Sequence, residues 1–125
     1  MSKKKIVITI GDPAGCGPYI TLKAIENLNI KNVKFFVVGD EKILKSIFGY
    51  SKVRKKIELV DIKTPFIEKI KKGYINKLSG EASLNYLKKA LSLIEKEKIK
   101  GLVTAPVSKE AIKLFILNSV DILSF

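Results

Sequence analysis

The loop Gly11-Asp12-Pro13-Ala14-Gly15-Cys16-Gly17-Pro18 constrains this chain more than any other stretch. It follows the apolar run Ile6-Val7-Ile8-Thr9-Ile10 and leads into an amphipathic segment at Tyr19. Three glycines and two prolines in eight residues demand an unusual backbone path between a strand and a helix. In α/β proteins a turn at the carboxyl end of a strand is where ligands sit. Pro18 suits the first helical position, and a helix N-terminus favours anions. A tight, ligand-free βα turn would use the same residues. Two common phosphate templates fail: no Lys-Ser/Thr pair follows at P-loop spacing, and Ile20 stands where a dinucleotide fingerprint starting at Gly15 and Gly17 needs its third glycine.

The rest of the chain alternates in kind. Strands are expected at 6–10, 33–38, 57–60 and 100–104. A helix from Pro18 to about Leu28 should bury Ile20, Ala24, Ile25 and Leu28. Asp40 should cap a short helix burying Ile43, Leu44, Ile47 and Phe48. Residues 64–79 are mixed. Ser79 should cap the clearest helix, with Leu84, Leu87, Leu91 and Ile94 at helical spacing. Ser108 should cap a last helix from Lys109 to about Leu114. This order predicts an α/β fold: a partial three-layer sandwich with a mainly parallel sheet. The apolar end, 115–117 and 120–125, reads as a cut chain, so residues 1–125 are expected to form a single incomplete α/β region.

Composition narrows the partners. A hydrophobic fraction of 46% fits a globular core, and no apolar run reaches the length of a membrane span. No signal peptide is evident, so a cytoplasmic location is expected. The net charge of +12 suits anionic small molecules. It argues less well for nucleic acid: Arg54 is the one arginine among 24 basic residues, and no aromatic residues alternate with the lysines. The single cysteine, Cys16, forms no internal disulfide and reads as a small apolar filler, because no histidine exists to activate it. The candidate substrate or phosphate contacts are Asp12, Gly15, Gly17, Thr104, Ser108 and Lys109. Asp12 could equally cap its own turn, Ser108 its own helix, and Lys109 could be a solvated surface lysine. Ser83 reads as a helix-surface residue. No residue is assigned a catalytic or metal-binding role.

Three collinear motifs carry a resemblance. The segment from Thr9 to Pro18, the helix start Ser79-Gly80-Glu81-Ala82-Ser83 with Tyr86, Leu87 and Ala90, and the segment from Leu102 to Ala111 resemble the 4-hydroxythreonine-4-phosphate dehydrogenase family of pyridoxal phosphate biosynthesis. The resemblance implies an isocitrate/isopropylmalate dehydrogenase-like fold. It implies NAD-dependent oxidation of the 3-hydroxyl of 4-phosphohydroxythreonine with loss of carbon dioxide, a homodimer, and a divalent metal held by histidines between two domains. The chain departs from that pattern. It has no histidine, so the metal ligands are absent. Asn118-Ser119-Val120-Asp121 stands where the family has Gly-His-Thr-Asp/Glu, and Tyr19 stands where an acidic residue is usual. An N-terminal part of a longer two-domain enzyme, inactive alone, is therefore expected. The alternative is a small basic protein that binds phosphorylated ligands or nucleic acid.

Overall fold

The computed structural model describes residues 3–123, and side chains as far as residue 117. Four strands, β1 (Lys4–Thr9), β2 (Val33–Gly39), β3 (Ile57–Asp61) and β4 (Gly101–Thr104), form one parallel sheet in the order β3-β2-β1-β4. The helices are α1 (Gly17–Asn27), α2 (Glu41–Leu44), α3 (Tyr50–Arg54), α4 (Lys77–Glu97) and α5 (Lys109–Leu123), with a 3-10 turn at Ile67–Lys69. Parallel crossovers are right-handed. The steps β1→β2→β3 move one way across the sheet and β3→β4 moves the other way, so α1, α2 and α3 cover one face and α4 the opposite one. Helix α4 packs on β1 and β2, and α5 packs on α4. The expected three-layer α/β arrangement is thus present. Val7, Ile10, Val37 and Val38 are fully buried, as two-sided coverage of a parallel strand requires.

Several local expectations need correction. Helix α1 buries Thr21, Leu22 and the expected Ile25 behind Gly17 and Pro18, whereas Ile20, Ala24 and Leu28 are exposed. The short helix after β2 ends at Leu44, and a separate helix, α3, follows Gly49, whose φ is +93°. Phe48 is 89% exposed. The cap of α4 is Asn76, whose Oδ1 accepts from the Ser79 N–H at 2.7 Å. Ser79 lies inside the first turn and donates its hydroxyl to the Asn76 carbonyl. The face α4 buries is Ser79, Ala82, Ser83, Tyr86 and Ala90; Leu91 is exposed. Small residues win there because they let α4 lie close to both the sheet and α5. Ser83 is buried and donates to the Ser79 carbonyl, contrary to its surface reading. Helix α5 continues nine residues further than expected, to Leu123. The side chains of 118–121, where the family motif would fall, and the end of the apolar tail lie outside the described residues.

Asp40 is no ordinary helix cap. Its carboxylate is buried and accepts from the Thr64 N–H and the Thr64 hydroxyl, each at 2.7 Å, and from the Tyr86 hydroxyl. One side chain therefore joins the end of β2, the segment after β3 and the middle of α4. Burial, then the hydrogen bond to Asp40, pushes the Tyr86 phenol well above its ordinary value of 10.0. Tyr50 is pushed up to about 12, first by burial and then by donating to Glu41 at 2.5 Å.

Tyr86→Phe leaves the buried carboxylate one donor short and should cost about 1.5–3 kcal/mol, read from urea denaturation at pH 7. Unfolded tyrosine loses its proton near pH 10 while folded Tyr86 keeps it. The stability that Tyr86 contributes is therefore complete below pH 10 and lost as the pH rises beyond it. The fall in stability between pH 9 and 11 should be shallower in Tyr86→Phe.

Candidate active-site wall at the ends of β1 and β4

The sheet order reverses at β1. The chain leaves β1 toward β2, and β4 returns on the other flank. The loops after β1 and β4 diverge to opposite faces at this point, which is where open α/β sheets place ligands. These are two of the three motifs singled out in the sequence, and they are stitched together. The Asp12 N–H donates to the Pro106 carbonyl at 3.0 Å, and the Ala105 N–H donates to the Thr9 carbonyl at 3.0 Å. A Cβ at Gly11, whose φ is +74°, would stand 2.2 Å from the Pro106 oxygen. At Gly17 it would stand 2.1 Å from the Ile10 oxygen and 3.2 Å from the Ala105 Cβ. The third motif joins through Gly80, where a Cβ would lie 2.1 Å from the Ala111 oxygen at the start of α5. The segment before α4 also reaches the first loop, with the Gly73 N–H donating to the Ala14 carbonyl at 2.7 Å. Motifs separated by up to a hundred residues thus form one connected structure.

The candidate residues fall into different roles within it. Asp12 is 6% exposed, and its Oδ1 accepts from the Ala14 N–H at 2.8 Å, an Asx turn that holds the loop. The Gly15 N–H is used inside the same loop, donating to the Asp12 carbonyl at 3.0 Å. Gly17 opens α1, Pro18 is its second residue, and no side chain caps this end. No acidic residue stands in the first turn of α1, so its partial positive charge is not neutralised locally. Ser108 accepts from the Ala111 N–H at 3.1 Å and so caps α5, with its hydroxyl proton still available to donate. Thr104 and Lys109 are exposed beside it. Cys16 is exposed at the cap position of α1, which corrects its reading as a packed filler.

Two cavities were not foreseen. One of about 510 Å³ lies at the ends of β2 and β3, lined by Asp40, Asp61, Lys45, Lys63, Phe66 and Glu68 among others. Its carboxylates are largely matched within the protein: Asp61 accepts from the Glu41 and Lys63 N–H groups, and Lys42 lies 4.0 Å from Glu68. The signal for it was Asp40 at a strand end, read there as a helix cap. A smaller hollow of about 160 Å³ lies directly beneath the first loop, between Pro13, Gly15 and Pro18 and the side chains of Ile43, Ile47 and Lys72. The chain has no histidine, and among the described residues no group of three or more Cys, Asp or Glu is placed to hold a metal. Among the described residues no helix is long and apolar enough to cross a membrane.

Residues 4–121 match the sequence model of a family described as pyridoxal phosphate biosynthetic protein PdxA. A relative from Oceanobacillus iheyensis, provisionally named a D-threonate 4-phosphate dehydrogenase, is 34% identical over 131 residues, covering 90% of this chain and 40% of its own. One from Clostridium botulinum strain Hall, with the same name, is 28% identical and covers 90% and 39%. The solved 4-hydroxythreonine-4-phosphate dehydrogenase of Klebsiella pneumoniae superposes with a TM-score of 0.77 at 22% identity, over 90% of this chain and 40% of that one. That likeness supports the fold alone. The chain spans about two fifths of the length of the proteins it matches.

The close approaches are testable by adding one carbon. Gly11→Ala combines a left-handed backbone with a carbonyl in the way and should cost at least about 2 kcal/mol. Gly15→Ala, whose Cβ would meet nothing nearer than 3.6 Å, should cost far less. Thermal melts of the two variants measure the contrast.

Proposed function

Because this chain belongs to the pyridoxal phosphate biosynthetic protein PdxA family, we propose that it forms the phosphate-facing wall of an NAD-dependent dehydrogenase acting on a 4-phosphorylated 3-hydroxy acid. The substrates named by its relatives, 4-hydroxythreonine 4-phosphate and D-threonate 4-phosphate, share a terminal phosphate and a hydroxyl at C3. They differ at C2, where one carries an amino group and the other a hydroxyl. Oxidation at C3 yields a 3-oxo acid, which loses carbon dioxide readily because the ketone accepts the electron pair of the breaking bond.

The observation that carries this reading is the joining of the β1 and β4 loops at the switch point through Asp12 and Pro106. It brings the uncapped start of α1 together with the strand end and helix start that bear Thr104, Ser108 and Lys109. In this proposal the amide end of α1 at Gly17, the hydroxyls of Thr104 and Ser108, and the ammonium of Lys109 hold the phosphate. Asp12 and Gly15 shape the loop. The residues present do not fit a resident divalent metal, since the sequence has no histidine and, among the described residues, no acidic cluster is placed for one. They do not form a dinucleotide fingerprint either, with Ile20 in the third glycine's place. No step is therefore assigned to this chain through either group. Homodimerisation and a cytoplasmic setting complete the proposal.

Two measurements test it. The purified 125-residue chain should form no NADH from 4-phosphohydroxythreonine; measurable NADH formation overturns the assignment of the redox chemistry to residues outside it. Inorganic phosphate should shift the backbone NMR signals of Gly17, Ser108 and Lys109, and Lys109→Gln should weaken that binding by about tenfold. An unchanged affinity would remove Lys109 from the site.

A further inference from the structure

All four strands run parallel, so their first residues lie together at one end of the sheet, opposite the β1 and β4 loops. That end is strongly basic. Residues 3–5, 31–34, 54–58 and 98–101, at the strand starts, hold nine lysines and Arg54 against one acid, Glu58. Residues 9–12, 39–42, 61–64 and 104–107, at the strand ends, hold Lys42 and Lys63 against Asp12, Asp40, Glu41 and Asp61. Of the nine lysines, Lys5 is half-buried and the others are exposed. Lys5 lies 3.7 Å from Glu97, and among the described residues no other of the nine stands in an ion pair. The fold sets like charges side by side. Lys5 and Lys34 are register partners on β1 and β2, and the Lys100 N–H donates to the Lys5 carbonyl at 3.1 Å. Such neighbours repel. Helices α1, α3 and α4 each end just before a strand start, but at about half a negative charge each they offset only a small part of the excess. Apolar side chains share this end. Leu28 is 37% and Ile30 54% exposed in the loop before β2, and with Lys56 they line a hollow of about 160 Å³.

We infer that the amino end of the sheet docks on an anionic lipid surface. Lysine supplies charge without the planar fork that specific base and phosphate recognition uses. Clustered lysines suffice for anionic headgroups, which attract them without a fixed pattern of contacts. Leu28 and Ile30 beside Lys31 select lipid over nucleic acid. Aliphatic side chains gain by entering the headgroup boundary and gain nothing from a sugar-phosphate backbone. Docking by this end leaves the β1 and β4 loops facing solution. The inference rests on the placement of charge and apolar surface, not on the phosphate-site proposal.

The test sediments the 125-residue chain with vesicles of phosphatidylcholine alone or of an equimolar mixture with phosphatidylglycerol. Binding to the mixture only, falling as salt rises, is the expected result. Lys34→Glu with Lys100→Glu should weaken it by at least about tenfold. Lys69→Glu with Lys71→Glu is the same charge change in the segment whose Ile70 and Lys72 lie beneath the first loop, and it should alter binding by less than about twofold. Ile30→Ser should weaken vesicle binding by about threefold and leave binding to a DNA duplex unchanged. Each substitution is at an exposed position and is checked for an unchanged circular dichroism spectrum. Equal losses in the two lysine pairs overturn the inference. Tighter binding to the duplex, with Ile30→Ser without effect on vesicles, overturns it in favour of nucleic acid. Absence of binding to the mixed vesicles also overturns it, and a dimer disrupted by the Lys34 and Lys100 changes would then assign this end to a second copy.

Discussion

The structure depends on backbone segments approaching more closely than side chains permit. At Gly11 and Gly17 the loop after β1 touches the carbonyls of Pro106 and Ile10 with no room for a Cβ, and at Gly80 helix α4 touches the backbone of α5. These contacts bring the switch-point loops into one unit. Without them β4 could still pair with β1, but its loop could not cross the first one, and α5 could not start beside α4. Glycine here is a packing requirement more than a turn preference, and only at Gly11 does a positive φ add to it.

A second constraint is electrostatic and lies at the end of the neighbouring parallel strand, β2. Asp40 is buried with three donors around one carboxylate. Breaking one bond of such an arrangement leaves a charge short of solvation, so its members are held to one geometry. The same group forms part of the wall of the cavity at the ends of β2 and β3. The two halves of the sheet are thus organised differently: backbone contacts without side chains at β1 and β4, and a buried carboxylate network at β2 and β3.

The element order, the parallel sheet and the three motifs were legible because strands and helices in this chain differ sharply in period and are separated by glycine and proline. Which face each helix buries was less legible. For α4 the larger apolar residues suggested one stripe and the structure buries another, built of Ser79, Ala82, Ser83 and Ala90 around Tyr86, while α1 buries Thr21 and Leu22 together with the expected Ile25. Hydrophobicity ranks residues by transfer from water, whereas a crowded crossing selects for size. The site candidates were legible as a set, because the glycine loop and the Thr104–Lys109 segment both end strands. Their division into loop-shaping and ligand-facing residues was not, since the hydrogen bonds of Asp12 and Gly15 appear only in three dimensions.

By itself the sequence determined the fold class and the family pattern, and it determined that no histidine is available to bind a metal. These follow from local propensities, spacing and composition, which need no neighbours. Only the tertiary structure decided that Asp40 is a hub and not a cap, that Cys16 faces outward, and that Leu102 and Val103 of β4 are exposed. Each of those depends on what lies across space from a residue. In a parallel sheet whose crossovers are tens of residues long, that neighbour is seldom close in sequence.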